Sequence, residues 1–142
     1  MAYITQTLLE AYFGTSNIAS WSNTENDSAG ADTAKITTSI AVGEEYVEDR
    51  FREGAYTVPF VAIGSSYPAV LMRWMIIFAG ADLYEARGLQ DSSTDDADEE
   101  QNKISRLKTR ADSEMDRYLQ NASRFNLQKA AGTNVTAPSV AR

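Results

Sequence analysis

Three groups of side chains in this 142-residue chain have types and spacings that could do chemistry. The first is the acidic run at 91–100, Asp-Ser-Ser-Thr-Asp-Asp-Ala-Asp-Glu-Glu, which has the composition of a divalent-cation loop or of a contact for a basic partner. Read as an EF-hand from Asp91, it carries Asp96 where the turn glycine is obligatory. The run fits a helix start better, with Asp96 as N-cap and Glu99 as the N3 residue of a capping box. The second group, Lys103, Arg106, Lys108 and Arg110, forms a strip that could face phosphates. Duplex binding needs several convergent cations, however, and acidic residues dominate the rest of the chain. The third group is the carboxylates of the same C-terminal region, which could supply an acid/base pair. On an exposed amphipathic face they make a solvated surface instead.

What is missing bounds the chemistry further. The chain has no histidine and no cysteine, which removes Ser-His and Cys-His nucleophiles, thiolate zinc sites and disulfides. No Gly-x-Gly-x-x-Gly and no P-loop is present. The expectation is a protein that is not an enzyme, with no catalytic residues, cofactor or metal. Its start has neither a basic segment nor a long apolar run. The densest apolar stretch, 69–81, spans 13 residues and includes Arg73, against the ~20 that a bilayer needs. A protein made in the cytoplasm, with no membrane contact, is the reading that follows.

The net charge of −7 is unevenly distributed. Residues 1–100 hold 17 acidic and 5 basic side chains, and 101–142 hold 3 acidic and 8 basic. Either the basic end meets an acidic partner, or a cationic C-terminal half complements the dipole of its own helix.

The elements that position these groups are helical by period. Thr5 can cap a short helix carrying Leu8, Leu9, Tyr12 and Phe13, with Gly14 at its C′ position. A second short helix or turn holds Ile18 and Trp21, and 22–31 is a polar loop. Asp32 reads as the N-cap of a helix over 32–52, with Ile36, Ile40, Gly43, Val47 and Phe51 on one face. Gly43 on that face admits a close neighbour. The opposite face is expected to carry Glu44, Glu45, Glu48 and Asp49 towards solvent, with Glu48 paired to Arg52. Gly54 ends the helix, and Pro59 keeps the Tyr-x-x-Pro-Phe segment extended or looped. Tyr56, Pro59 and Phe60 are either an exposed aromatic anchor at a subunit interface or a loop tucked over the core. The helix over 69–87 is apolar nearly all round, as a central buried helix would be. A last helix, about 97–125, puts Ile104, Leu107, Ala111, Met115 and Tyr118 on one face. The fold class expected is all-α: a bundle of four to five helices over 1–127, followed by a flexible tail over 128–142.

Taken in order, the N-terminal Tyr-x-Thr with Leu8-Leu9 and Phe13-Gly14, the long helix running into Tyr56-Thr57-Val58-Pro59-Phe60, the Pro68-led apolar helix ending Ala81-Asp82-Leu83-Tyr84, and Tyr118-Leu119 resemble a known family. It is the head–tail connector (adaptor, or head-completion) proteins of tailed bacteriophages, in particular the Mu-like prophage branch. The resemblance covers roughly 3–127 and implies a compact helical structural protein of the virion neck. It implies a homo-oligomeric ring, twelve-fold in such proteins, at the head–tail junction between portal and the next neck or tail-completion protein. DNA would pass through that ring without sequence-specific binding. On that view Glu44, Glu45, Glu48 and Asp49 are channel-facing candidates, since a like-charged wall repels phosphate. Arg117, Arg124, Phe125, Leu127 and Lys129 are portal-binding candidates. The alternative from the residues alone is a cytoplasmic helical protein-binding or regulatory module.

Overall fold

A computed structural model of the chain describes residues 3–23, 30–52, 56, 58–60, 67–88 and 95–120. Its five helices among those residues are α1 (Gln6–Phe13), α2 (Thr15–Ser22), α3 (Thr33–Arg52), α4 (Ala69–Gly88) and α5 (Asp95–Gln120). The fold is all-α, with no β-strand among the described residues.

Local chemistry sets the ends of these helices. The Leu8 N–H donates to Thr5 Oγ1 at 3.2 Å, the N-cap bond expected at that position. Gly14 lies at φ +100°, a conformation that costs glycine nothing, and separates α1 from α2. Its N–H closes α1 on the Glu10 carbonyl at 2.8 Å, and its carbonyl accepts the Ile18 N–H of α2 at 3.1 Å. Asp32 caps α3 by accepting the Lys35 N–H at 3.2 Å. The Asp32 N–H in turn donates to Ser22 Oγ at 2.9 Å, joining the end of α2 to the start of α3. α5 begins at Asp95, so Asp96 is a first-turn residue rather than the cap itself.

α4 is the axis of the bundle and touches all four other helices. Its apolar circumference explains this, because Leu71, Trp74, Met75, Ile77, Phe78 and Leu83 are all buried. α3 runs antiparallel to it, with Ser39 beside Asp82, Gly43 beside Ala79 and Phe51 beside Trp74. α5 is also antiparallel to α4, since Lys108 meets Glu85 and Glu114 meets Arg73. Trp74 is the joint of the three long helices. Its ring stacks on Phe51 of α3 at 5.7 Å and meets the edge of Tyr118 of α5 at 5.2 Å. The α1–α2 pair closes one side through Phe13 and Trp21, whose rings stand 5.3 Å apart, and Trp21 packs at 5.3 Å on Tyr84 of α4.

The α3–α4 contact is close because of Gly43. A Cβ there would lie 2.6 Å from the Ala79 nitrogen and 2.7 Å from the Met75 carbonyl oxygen. Both are backbone atoms, so no side-chain rotation relieves the collision. Gly43→Ala should therefore lower the urea midpoint, because overpacking costs about 1–3 kcal/mol while alanine's helix preference returns only about 1. An unchanged or raised midpoint would contradict the backbone contact.

Candidate functional site

Two carboxylates of α3 form the most unusual polar arrangement in the molecule. Glu44 and Glu48 are 5% and 9% exposed, and no cation meets either among the described residues. Neutral donors hold them instead. Glu44 Oε2 accepts the backbone N–H groups of Tyr3 and Ile4, the latter at 2.9 Å. Glu48 Oε2 accepts the Tyr3 hydroxyl at 2.6 Å, and that hydroxyl oxygen accepts the Phe60 N–H at 2.9 Å. The Phe60 carbonyl then takes the Tyr67 hydroxyl at 3.2 Å. Burial, followed by the bond to Glu48, pushes the Tyr3 phenol well above its ordinary range, so it stays a donor. The segment before α1, the middle of α3 and the segment leading to α4 are thus joined at one phenol.

This arrangement corrects two expectations. Glu44 and Glu48 do not face solvent or a channel, because the N-terminal segment lies over them and supplies their hydrogen bonds. Only Glu45 and Asp49 of that quartet are exposed. Arg52 accordingly pairs with Asp49 rather than with Glu48. Tyr56 and Phe60 are 3% and 1% exposed, packed on Phe51 at 5.5 and 6.0 Å, so they belong to the core and not to an exposed anchor. Burial raises the Tyr56 phenol. Pro59 alone of the three remains on the surface.

Three acids of α5 meet partners on α3 and α4. Asp112 accepts Arg50 at 2.7 Å and the Tyr46 hydroxyl at 2.8 Å, and Asp116 takes the second arm of the same guanidinium. Burial opposes the Arg50 charge, but Tyr46, Asp116 and Asp112 outweigh it. Glu114 accepts Trp74 Nε1 at 2.9 Å and Arg73 at 3.1 Å. Lys108, expected in a phosphate-facing strip, is paired with Glu85 at 2.8 Å. Lys103, Arg106, Arg110 and Arg117 are exposed. Arg124, Phe125, Leu127 and Lys129, and the whole 128–142 tail, lie outside the described residues.

No group of three His, Cys, Asp or Glu side chains is arranged to hold a metal among the described residues. No described helix is long and apolar enough to cross a membrane. Two open grooves flank α3 and α4. The larger, about 450 Å³, runs past Trp21, Lys35, Thr38 and Ser39, and the smaller, about 250 Å³, past Val42, Tyr46 and Phe78. Asp82 lines both, and in the larger it holds Ser39 Oγ at 2.7 Å, a carboxylate–hydroxyl contact with no imidazole to activate it. Comparison with protein-family models, with curated proteins and with solved structures finds no match for the chain.

Glu114 makes acid sensitivity testable. Burial disfavours its charge, but the Trp74 bond, Arg73 and Arg110 prevail and hold the carboxyl below its ordinary 4.5. A lowered folded value means the stabilisation is full above about 4.5 and is lost as pH falls through the folded value. The melting-temperature gap between wild type and Glu114→Gln should be constant near neutrality and close below pH 4.5. A gap that does not change with pH would contradict the assignment.

Proposed function

We propose that the chain is a structural virion protein, a ring-forming adaptor at the head–tail junction between the portal and the next neck or tail component. It would be made in the host cytoplasm and assembled onto the portal, leaving DNA a passage through the ring. The observation that carries this reading is the order of the parts. A short α1–α2 pair, a long α3, the Tyr56 and 58–60 segment, an apolar α4 and an amphipathic α5 follow one another as the connector resemblance implies. The buried position of Tyr56 and Phe60 gives that segment a physical reason for its composition, since it fills the space beside Phe51 and presents its backbone to Tyr3.

The test is to mix the purified chain with portal rings from the same source and to examine the product by electron microscopy and native mass spectrometry. The adaptor reading expects a monomer that collects on one end of the portal at one copy per portal subunit. It also expects that truncation after Asn121 abolishes the association while leaving the melting temperature near wild type. Failure to bind portal, with a fixed small stoichiometry towards a cellular protein, would replace it with the cytoplasmic binding module.

A further inference from the structure

The outward face of α5 carries cations that the fold itself does not use. At 100° per residue, Lys103, Arg106, Arg110 and Arg117 fall within an arc of about 60° of the helix circumference. All four are exposed, and none makes an ion pair among the described residues. Of the three carboxylates between 102 and 120, Asp112 and Asp116 lie on the other flank beside Arg50, whereas Glu114 borders the cationic arc, about 20° from Lys103, and is bonded to Arg73 and Trp74. Over 103–117 the charges within that arc are therefore all cationic, with Asp112 and the exposed Asp116 outside it; one turn before Lys103, Glu99 falls in the same arc by period. Arg110 lies near enough to Glu114 to favour its ionised form, and is otherwise free among the described residues to meet an external anion.

We propose that this face is a sequence-independent contact for the phosphate backbone of duplex DNA. Lys103 to Arg117 spans a rise of about 21 Å along the helix, which matches about six base pairs at 3.4 Å each. Three of the four cations are arginines, whose planar fork fits phosphate oxygens. The neutral residues beside them, Thr109, Ser113 and Gln120, are exposed hydrogen-bonding groups suited to a hydrated backbone. Among 102–120 every exposed residue is polar or charged. A stable protein partner would need an apolar centre to its interface, which this face lacks, so an acidic protein is the poorer occupant. The net charge of −7 disfavours DNA contact elsewhere on the chain as a whole. The contact does not require a portal, although it shares Arg117 with the portal-binding candidates.

The experiment is fluorescence anisotropy of the full chain with a labelled duplex of arbitrary sequence, across salt. Four phosphate contacts predict a log–log salt slope of about −3 to −4, so that affinity falls roughly 10²-fold between about 50 and 200 mM salt. The triple variant Arg106→Gln, Arg110→Gln, Arg117→Gln should bind at least tenfold more weakly, with the slope reduced by about three and an unchanged circular dichroism spectrum. Arg52→Gln, an exposed cation on α3, should bind like wild type. The proposal is overturned if wild type does not bind at about 50 mM salt, or if the triple variant binds as wild type does, which would assign the contact to the tail cations. It is equally overturned if Arg52→Gln loses as much affinity, or if polyglutamate competes as well as DNA at equal charge, which would make the partner an acidic protein.

Discussion

Burying a carboxylate is among the costliest things a small domain can do, and this one buries two, a single turn apart on α3. Charges removed from water are tolerated only where their hydrogen bonds are replaced. Here the replacements come from Tyr3, Ile4 and, through the Tyr3 hydroxyl, Phe60. Distant parts of the chain are thereby obliged to meet. The N-terminal segment must lie across α3, and the Tyr56 and 58–60 segment must come inward beside Phe51. α1 and α4 then start from positions already set. Gly43 acts beside this site, since it brings the backbone of α4 against α3 immediately next to Glu44.

Trp74 extends the same logic to α5. Its ring is stacked on Phe51, edge-on to Tyr118 and hydrogen-bonded through Nε1 to Glu114. Packing and polar satisfaction thus converge on one side chain, and α5 can rotate little without losing both. The Arg50 contacts to Asp112 and Asp116 act in the same sense from the α3 side. As exposed or half-exposed pairs they contribute modestly to stability, about 0–1 kcal/mol each. Their larger effect is on charge, because each sets a carboxylate of α5 against the Arg50 guanidinium.

The helices themselves were legible from local rules. Thr5 and Asp32 cap where their side chains allow it, Gly14 takes the positive φ that breaks α1 from α2, and the all-round apolar pattern of α4 marks the central helix. The glycine at 43 on an apolar face announced a close approach. The site was much less legible. Glu44 and Glu48 flank the apolar stripe, and a carboxylate in that position is ordinarily solvated. Its burial depends on Tyr3, some forty residues away, and helical period carries no information about such a partner. Tyr56 and Phe60 illustrate the same limit, since an aromatic pair beside proline suits a surface anchor and a core plug equally. The available signal was composition, because two large rings cost more to expose than to bury. The pairing of Asp112, Asp116 and Glu114 likewise became readable only once Arg50 and Arg73 stood opposite them.

The most direct test of the account is a double-mutant cycle between Tyr3→Phe and Glu48→Gln, followed by urea unfolding. Removing the Tyr3 hydroxyl leaves the buried Glu48 oxygen and the Phe60 N–H without their partner, and such a loss costs about 1–3 kcal/mol. The account predicts that Tyr3→Phe alone is destabilising by that order, and that the two changes are non-additive by 0.5 kcal/mol or more, in the range of about 0.5–3 kcal/mol found for contacting pairs. Additive effects, or a Tyr3→Phe variant as stable as wild type, would contradict the claim that one phenol ties the N-terminus, α3 and the segment before α4 together.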